Sequence, residues 1–211
     1  MKLFVTDYDG TLLVDEMNFK INKQRLKELH NLGFIIVIST GRSYTSIKKQ
    51  TEIHNIYYDY LHCADGSMIY DKNGNLINFY EMDHNIVNTI LTLKDKIKYE
   101  QIQISYPKDY ENTYRKTDKI SGVNIVIKSE LLNQEFVNEF MNLKNKFPNY
   151  NFLNYDHGDY IYLCVKKENV SKAMGIKYMQ DLLKIDKKDI YVIGDSGNDY
   201  EMIKLDRKSV V

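Results

Sequence analysis

Two aspartates, Asp7 and Asp9, stand one residue apart, directly after the apolar run Leu3-Phe4-Val5 and before Gly10-Thr11. Carboxylates this close repel unless a cation or a shared proton intervenes, and hard oxygen donors of this kind suit Mg2+. The same arrangement, an apolar run cut off at a polar turn, recurs twice. Phe34-Ile35-Ile36-Val37-Ile38 ends at Ser39-Thr40-Gly41-Arg42, and Ile190-Tyr191-Val192-Ile193 ends at Gly194-Asp195-Ser196-Gly197-Asn198-Asp199. Short apolar runs bounded by turn residues are the pattern of strands buried on both faces. In an open parallel sheet, ligands bind outside the carboxyl ends of the strands. Asp7, Thr40 and Asp195 are therefore expected side by side on one sheet edge, although far apart in the chain.

The pentapeptide Asp7-Tyr8-Asp9-Gly10-Thr11 resembles the DxDGT signature of the haloacid dehalogenase-like (HAD) phosphatases. Gly194-Asp195-Ser196-Gly197-Asn198-Asp199, followed by Met202, matches that family's GDxxND pattern, and the order of segments is similar to its Cof-like branch. The resemblance implies Mg2+-dependent hydrolysis of phosphomonoesters. Asp7 would be the nucleophile that forms an aspartyl-phosphate. Asp9 would be the general acid and base, and would meet the metal through its backbone carbonyl. Thr40 and the Gly41 N–H, at a strand-to-helix turn, would hold phosphate oxygens; Arg42 would reach the substrate or a surface carboxylate. Asp195 would complete the metal ligands with Asp7. Asn198 would bind phosphate or a metal-bound water, and Asp199 would belong to the metal site or orient Lys172.

Lys172 is set apart from the other lysines by its place in the first turn of a predicted helix, where the macrodipole disfavours a cation by about 0.3–1 kcal/mol. A bound anion would reverse that sign. It also stands where Cof-like sequences carry their motif lysine, which selects it over Lys166 and Lys167 as a catalytic and phosphate-binding cation.

The elements that must position these groups follow from the periodicity. The spacing predicts a helix from about Ile21 that closes at Gly33, a strand over Phe34–Ile38, a helix from Ser43, a strand near Tyr60, and a hairpin turning at Asn73-Gly74. Strand, helix and strand with short links form a right-handed βαβ unit, so these strands are parallel. From Glu81 to Val165 the pattern changes to two successive αββ units, which implies an antiparallel sheet with helices on one face. The expected architecture is α/β: a parallel-sheet, Rossmann-like core over 1–80 and 166–211, with a smaller α+β cap over 81–165 inserted between. Ser171 is expected to N-cap the helix carrying Lys172.

Composition narrows the partners. Lys plus Arg and Asp plus Glu balance at 29 each over 211 residues, so no nucleic-acid or membrane partner is expected. The apolar runs are too short for a signal core or a spanning helix, which makes a cytoplasmic location the default. Cys63 and Cys164 show no ligand spacing and are expected to be buried and reduced. The resemblance implies a small phosphorylated metabolite as partner, such as a sugar phosphate or phosphorylated cofactor; nothing in the sequence indicates an oligomeric state. Two departures stand out. Asp65-Gly66 occupies the place where relatives carry Asn-Gly, adding a negative charge near the phosphate site. The chain also stops at Val211, where relatives continue with a further strand and helix, an end expected to leave a sheet edge uncovered. A phosphomannomutase-like phosphomutase shares these motifs, and a shortened, non-catalytic relative would also retain them.

Overall fold

The computed structural model describes residues 1–205 of the chain; the predicted core segment beyond 205 and the sheet edge expected at Val211 lie outside the described residues. The chain forms two compact units, one of Met1–Phe79 resumed at Val170, the other of Tyr80–Asn169.

The first unit is built on a six-stranded sheet of β1 (Lys2–Thr6), β2 (Phe34–Ser39), β3 (Tyr60–Cys63), β4 (Met68–Asp71), β5 (Leu76–Phe79) and β11 (Ile190–Ile193), in the order β11-β1-β2-β3-β4-β5. The first four strands in that order are parallel, and β4 and β5 form an antiparallel hairpin. Alternate residues of β2 serve opposite faces. Ile36 and Ile38 join Tyr8, Leu12, Phe19 and Leu61 on one side, whereas Val37 joins Leu3, Val5, Ile176 and Met179 on the other. Burial on both faces is why the run is apolar throughout rather than alternating. Register then brings the motifs together, because Thr6 lies opposite both Ile38 of β2 and Ile193 of β11.

Three helices flank this sheet: α1 (Glu16–Asn31), α2 (Tyr44–Ile53) and α5 (Lys172–Leu183); a single turn, α6 (Tyr200–Ile203), follows the last motif. Helix α1 starts earlier than its apolar period predicts. Asp15 caps it, accepting the Asn18 N–H at 2.8 Å, so its first turns carry the exposed Met17 and Ile21. The hairpin also differs from expectation. Only Gly74 has positive φ, and the turn is organised by Asp71, whose carboxylate accepts the N–H groups of Asn73 and Asn75 at 2.9 Å. An Asx-type cap has taken the place of the two-residue Asn-Gly turn.

The second unit is a five-stranded antiparallel sheet in the order β7-β6-β8-β10-β9, formed by β6 (Gln101–Ser105), β7 (Tyr110–Glu111), β8 (Gly122–Lys128), β9 (Tyr150–Asp156) and β10 (Tyr160–Lys167). Helices α3 (His84–Lys94) and α4 (Gln134–Lys146) pack against it through Ile86, Val87, Ile90, Phe136, Val137 and Phe140. The two αββ units are present, with the short β7 added to the first. Strand β10 continues to Lys167, opposite Tyr150, so residues 166–169 stay with this unit. Cys63 is buried, whereas Cys164 is only half-buried on β10, a shallower position than its apolar neighbours suggest. Among the described residues no helix is long and apolar enough to cross a membrane.

Candidate active site

Asp7 continues the parallel ladder one residue beyond β1, its N–H donating to the Ile193 carbonyl at 3.0 Å. Two-residue alternation puts its side chain on the face of Leu3 and Val5, toward α5. There it is 4% exposed and meets Lys172, which is 2% exposed. Lys172 Nζ lies 2.5 Å from Asp7 Oδ1 and 2.6 Å from Asp199 Oδ1. Burial pushes the Asp7 carboxyl up to about 6, against the pull of Lys172 and with a further push from Asp199. Burial acts on Lys172 in the opposite sense, but the two carboxylates outweigh it and hold the ammonium above its ordinary value.

Asp199 is fully buried, and both of its oxygens are engaged. Oδ1 takes Lys172, while Oδ2 accepts the N–H groups of Asp195 and Ser196 at 3.1 and 3.0 Å and the Ser196 hydroxyl at 2.9 Å. It ties the turn after β11 to α5. Asp195 is exposed and accepts the Thr11 hydroxyl on Oδ1 at 2.5 Å. Gly10 is required beside it, since φ is +87° and a Cβ there would overlap the Asp195 carboxylate.

Oxygens of Asp7, Asp195 and Asp199 lie within 4.8 Å of one another. Three carboxylates against the single ammonium of Lys172 leave a net negative, all-oxygen donor set, which fits a hard divalent cation such as Mg2+. Asp7 and Asp195 supply the uncommitted oxygens; those of Asp199 are already taken by donors.

The groups around this centre take less predictable partners. Arg42 turns to Asp9, with Nε 2.8 Å from Oδ2 and Nη2 2.7 Å from Oδ1. Thr40 is buried, and its Oγ1 accepts the Arg42 N–H at 3.2 Å, an acceptance that does not use the hydroxyl hydrogen. Thr40 itself is held by His62 and Asp65, through N–H to the His62 carbonyl at 2.9 Å and the Asp65 N–H to its carbonyl at 3.0 Å. Asn198 donates to Asp65 Oδ1 at 3.3 Å, and its carbonyl oxygen lies against the Ser196 hydroxyl. Its amide therefore faces Asp65, and a carboxylate does sit beside Gly41: a Cβ on that glycine would stand 3.3 Å from Asp65 Oδ1.

Residues 4–211 match the model of the haloacid dehalogenase-like hydrolase family. The chain belongs to this family. A 5-amino-6-(5-phospho-D-ribitylamino)uracil phosphatase of Bacillus subtilis is 26% identical to it over 213 residues, spanning 97% of this chain and 80% of the relative. A haloacid dehalogenase-like hydrolase of B. subtilis shares the fold at a TM-score of 0.76 and 18% identity, over 98% of this chain and 87% of that one. The sucrose-phosphatase of Synechocystis, solved with sucrose and phosphate, aligns at a TM-score of 0.70 and 19% identity, over 98% and 80% of the respective chains. In this HAD hydrolase, sequence reasoning did not single out Thr11 as a partner of Asp195 or Ser196 as a partner of Asp199. Both lie within the quoted motifs; a hydroxyl beside motif carboxylates was the available signal.

Proposed function

We propose that the protein is a Mg2+-dependent phosphatase of small phosphomonoesters that works through an aspartyl-phosphate on Asp7. The observation that carries this reading is a buried carboxylate with one oxygen fixed by a buried lysine, at a strand end shared with Asp195. The contact of Lys172 with Oδ1 fixes the plane of the Asp7 carboxylate, so that one oxygen can serve the metal and the other attack phosphorus. Lys172 also offsets the charge that gathers as nucleophile and phosphate meet. The Thr40 hydroxyl and the Gly41 N–H would turn to phosphate oxygens when substrate binds, and such donors act most strongly where charge develops. Asp9, half exposed and two residues after Asp7, would hand a proton to the leaving oxygen and later take one from water. Asp7 and Asp195, with the Asp9 carbonyl, would hold the Mg2+, which when bound supplies Lewis-acid polarisation and charge neutralisation. A sugar phosphate or phosphorylated cofactor as substrate accords with the names of the ribitylaminouracil phosphatase and the sucrose-phosphatase.

The test is turnover of p-nitrophenyl phosphate in Mg2+. Activity should vanish in EDTA and fall by about 10³-fold or more in Asp7→Asn, as expected when a nucleophile is removed. A folded Asp7→Asn protein that keeps its rate would end the proposal.

A further inference from the structure

The guanidinium of Arg42 is engaged at three nitrogens and lies against a ring. Nε and Nη2 hold the two oxygens of Asp9, Nη1 is 3.4 Å from the Ser46 hydroxyl, and the carbon of the fork lies 5.1 Å from the centre of the buried Tyr8 ring. Its backbone is fixed as well, through N–H to Thr40 Oγ1 and carbonyl to the Ala64 N–H at 2.9 Å. Asp9, by contrast, is half exposed, with a side-chain exposure of 50%. A lone aspartate at such a place would sample several rotamers, whereas a planar two-point fork fixes its carboxylate plane.

We infer that Arg42 is a positioning residue that holds Asp9 as the base for the second half of the reaction, the breakdown of the aspartyl-phosphate. This rests on the function proposed above. Both Asp9 oxygens accept N–H groups from one rigid fork, which fixes the carboxylate as a two-point acceptor. Each oxygen keeps a second lone pair for water. In the step served, water oxygen bonds to phosphorus as the bond from phosphorus to the Asp7 oxygen breaks. The water's proton passes to an Asp9 oxygen, inorganic phosphate leaves, and Asp7 regains its carboxylate.

The experiment compares wild type, Arg42→Ala and Arg42→Lys on nitrophenyl, phenyl and alkyl phosphates, by stopped flow and steady state in Mg2+. In Arg42→Ala the first step should survive and the second should slow by about 10²-fold, the cost of a misplaced reacting group. Nitrophenolate should then appear in a burst near one equivalent, kcat should become the same for all leaving groups, and KM should fall with kcat. Inhibition by inorganic phosphate should stay within about twofold, and Arg42→Lys, a single-point cation, should recover part of the rate. Weaker phosphate inhibition and raised KM without a burst would overturn the inference by making Arg42 a phosphate ligand. A uniform loss of kcat with no burst would overturn it by leaving only a structural role. An inactive wild type would instead remove the phosphatase reading, and this inference with it.

Discussion

His62 and Asp7 pull the stability of the first unit in opposite directions as pH changes. His62, on β3, is fully buried, and among the described residues neither ring nitrogen has a hydrogen-bond partner; the hydroxyl of Ser39, opposite it on β2, has none there either. Burial pushes the imidazole down to about 3, so between about pH 6.5 and 3 the unfolded chain binds the proton and the native one does not. Stability is then lost on acidification at about 1.4 kcal/mol per pH unit. Asp7 has the reverse sign. Its carboxyl, raised to about 6, binds a proton more tightly in the native state, so stability is lost as pH rises from about 3.8 through 6. In metal-free protein the two slopes nearly cancel between pH 4 and 6. Asp7→Asn should expose the His62 slope, with urea midpoints falling toward pH 4. His62→Leu, which also removes an unpaired buried polar ring, should expose the opposite slope. Unfolding curves at pH 4, 5 and 6 in EDTA decide this, and identical slopes in wild type and both variants would refute it. The sequence showed the DxDGT carboxylates directly, but not the burial of His62, which sits in an ordinary-looking strand.

At the scale of elements, α5 is what converts a sheet edge into a site. Ser171 caps it, accepting the Met174 N–H at 3.3 Å, and so fixes the turn from which Lys172 projects. Gly66, at φ +87°, lies against it so closely that a Cβ would overlap the Ser171 carbonyl oxygen. The position of Lys172 in the first helical turn is unfavourable for a cation, and Asp7 and Asp199 supply the opposite charge there. Ser171→Ala should cost about 1 kcal/mol of stability and lower kcat along with it, while Ser171→Asp should restore the midpoint. An alanine variant with unchanged urea midpoint and rate would show that the cap does not set the lysine. The cap itself was legible, because a serine before an apolar helical period has a local cause. The early start of α1 and the Asp71-centred hairpin turn were not, since Asp15 and Asp71 compete for backbone N–H groups in ways periodicity does not record.

Across the whole molecule, the second unit carries its own hydrophobic cluster, from Met82 through Ile125 and Phe140 to Val165, with residues from α3, α4 and its strands. A stretch of about 90 residues with a continuous core is within the size range of autonomous domains. Residues 80–169 expressed alone should therefore unfold cooperatively in urea and give dispersed amide resonances, yet hydrolyse no phosphate ester. Collapsed or non-cooperative behaviour would show that the insert depends on the rest of the chain. None of the residues placed in the site belongs to this segment.

Sequence alone determined the strands other than the two-residue β7, most helices, the change of architecture near residue 80 and the residues around which a site would gather. These are read from local period and from short motifs whose chemistry is intrinsic. Only the tertiary structure decided which polar groups pair: Arg42 with Asp9, Asn198 with Asp65, and Lys172 with both Asp7 and Asp199. Such choices depend on distances between side chains 27 to 165 positions apart. Those distances are set by strand register and by the approach of α5 to the sheet, neither of which is written in any one segment.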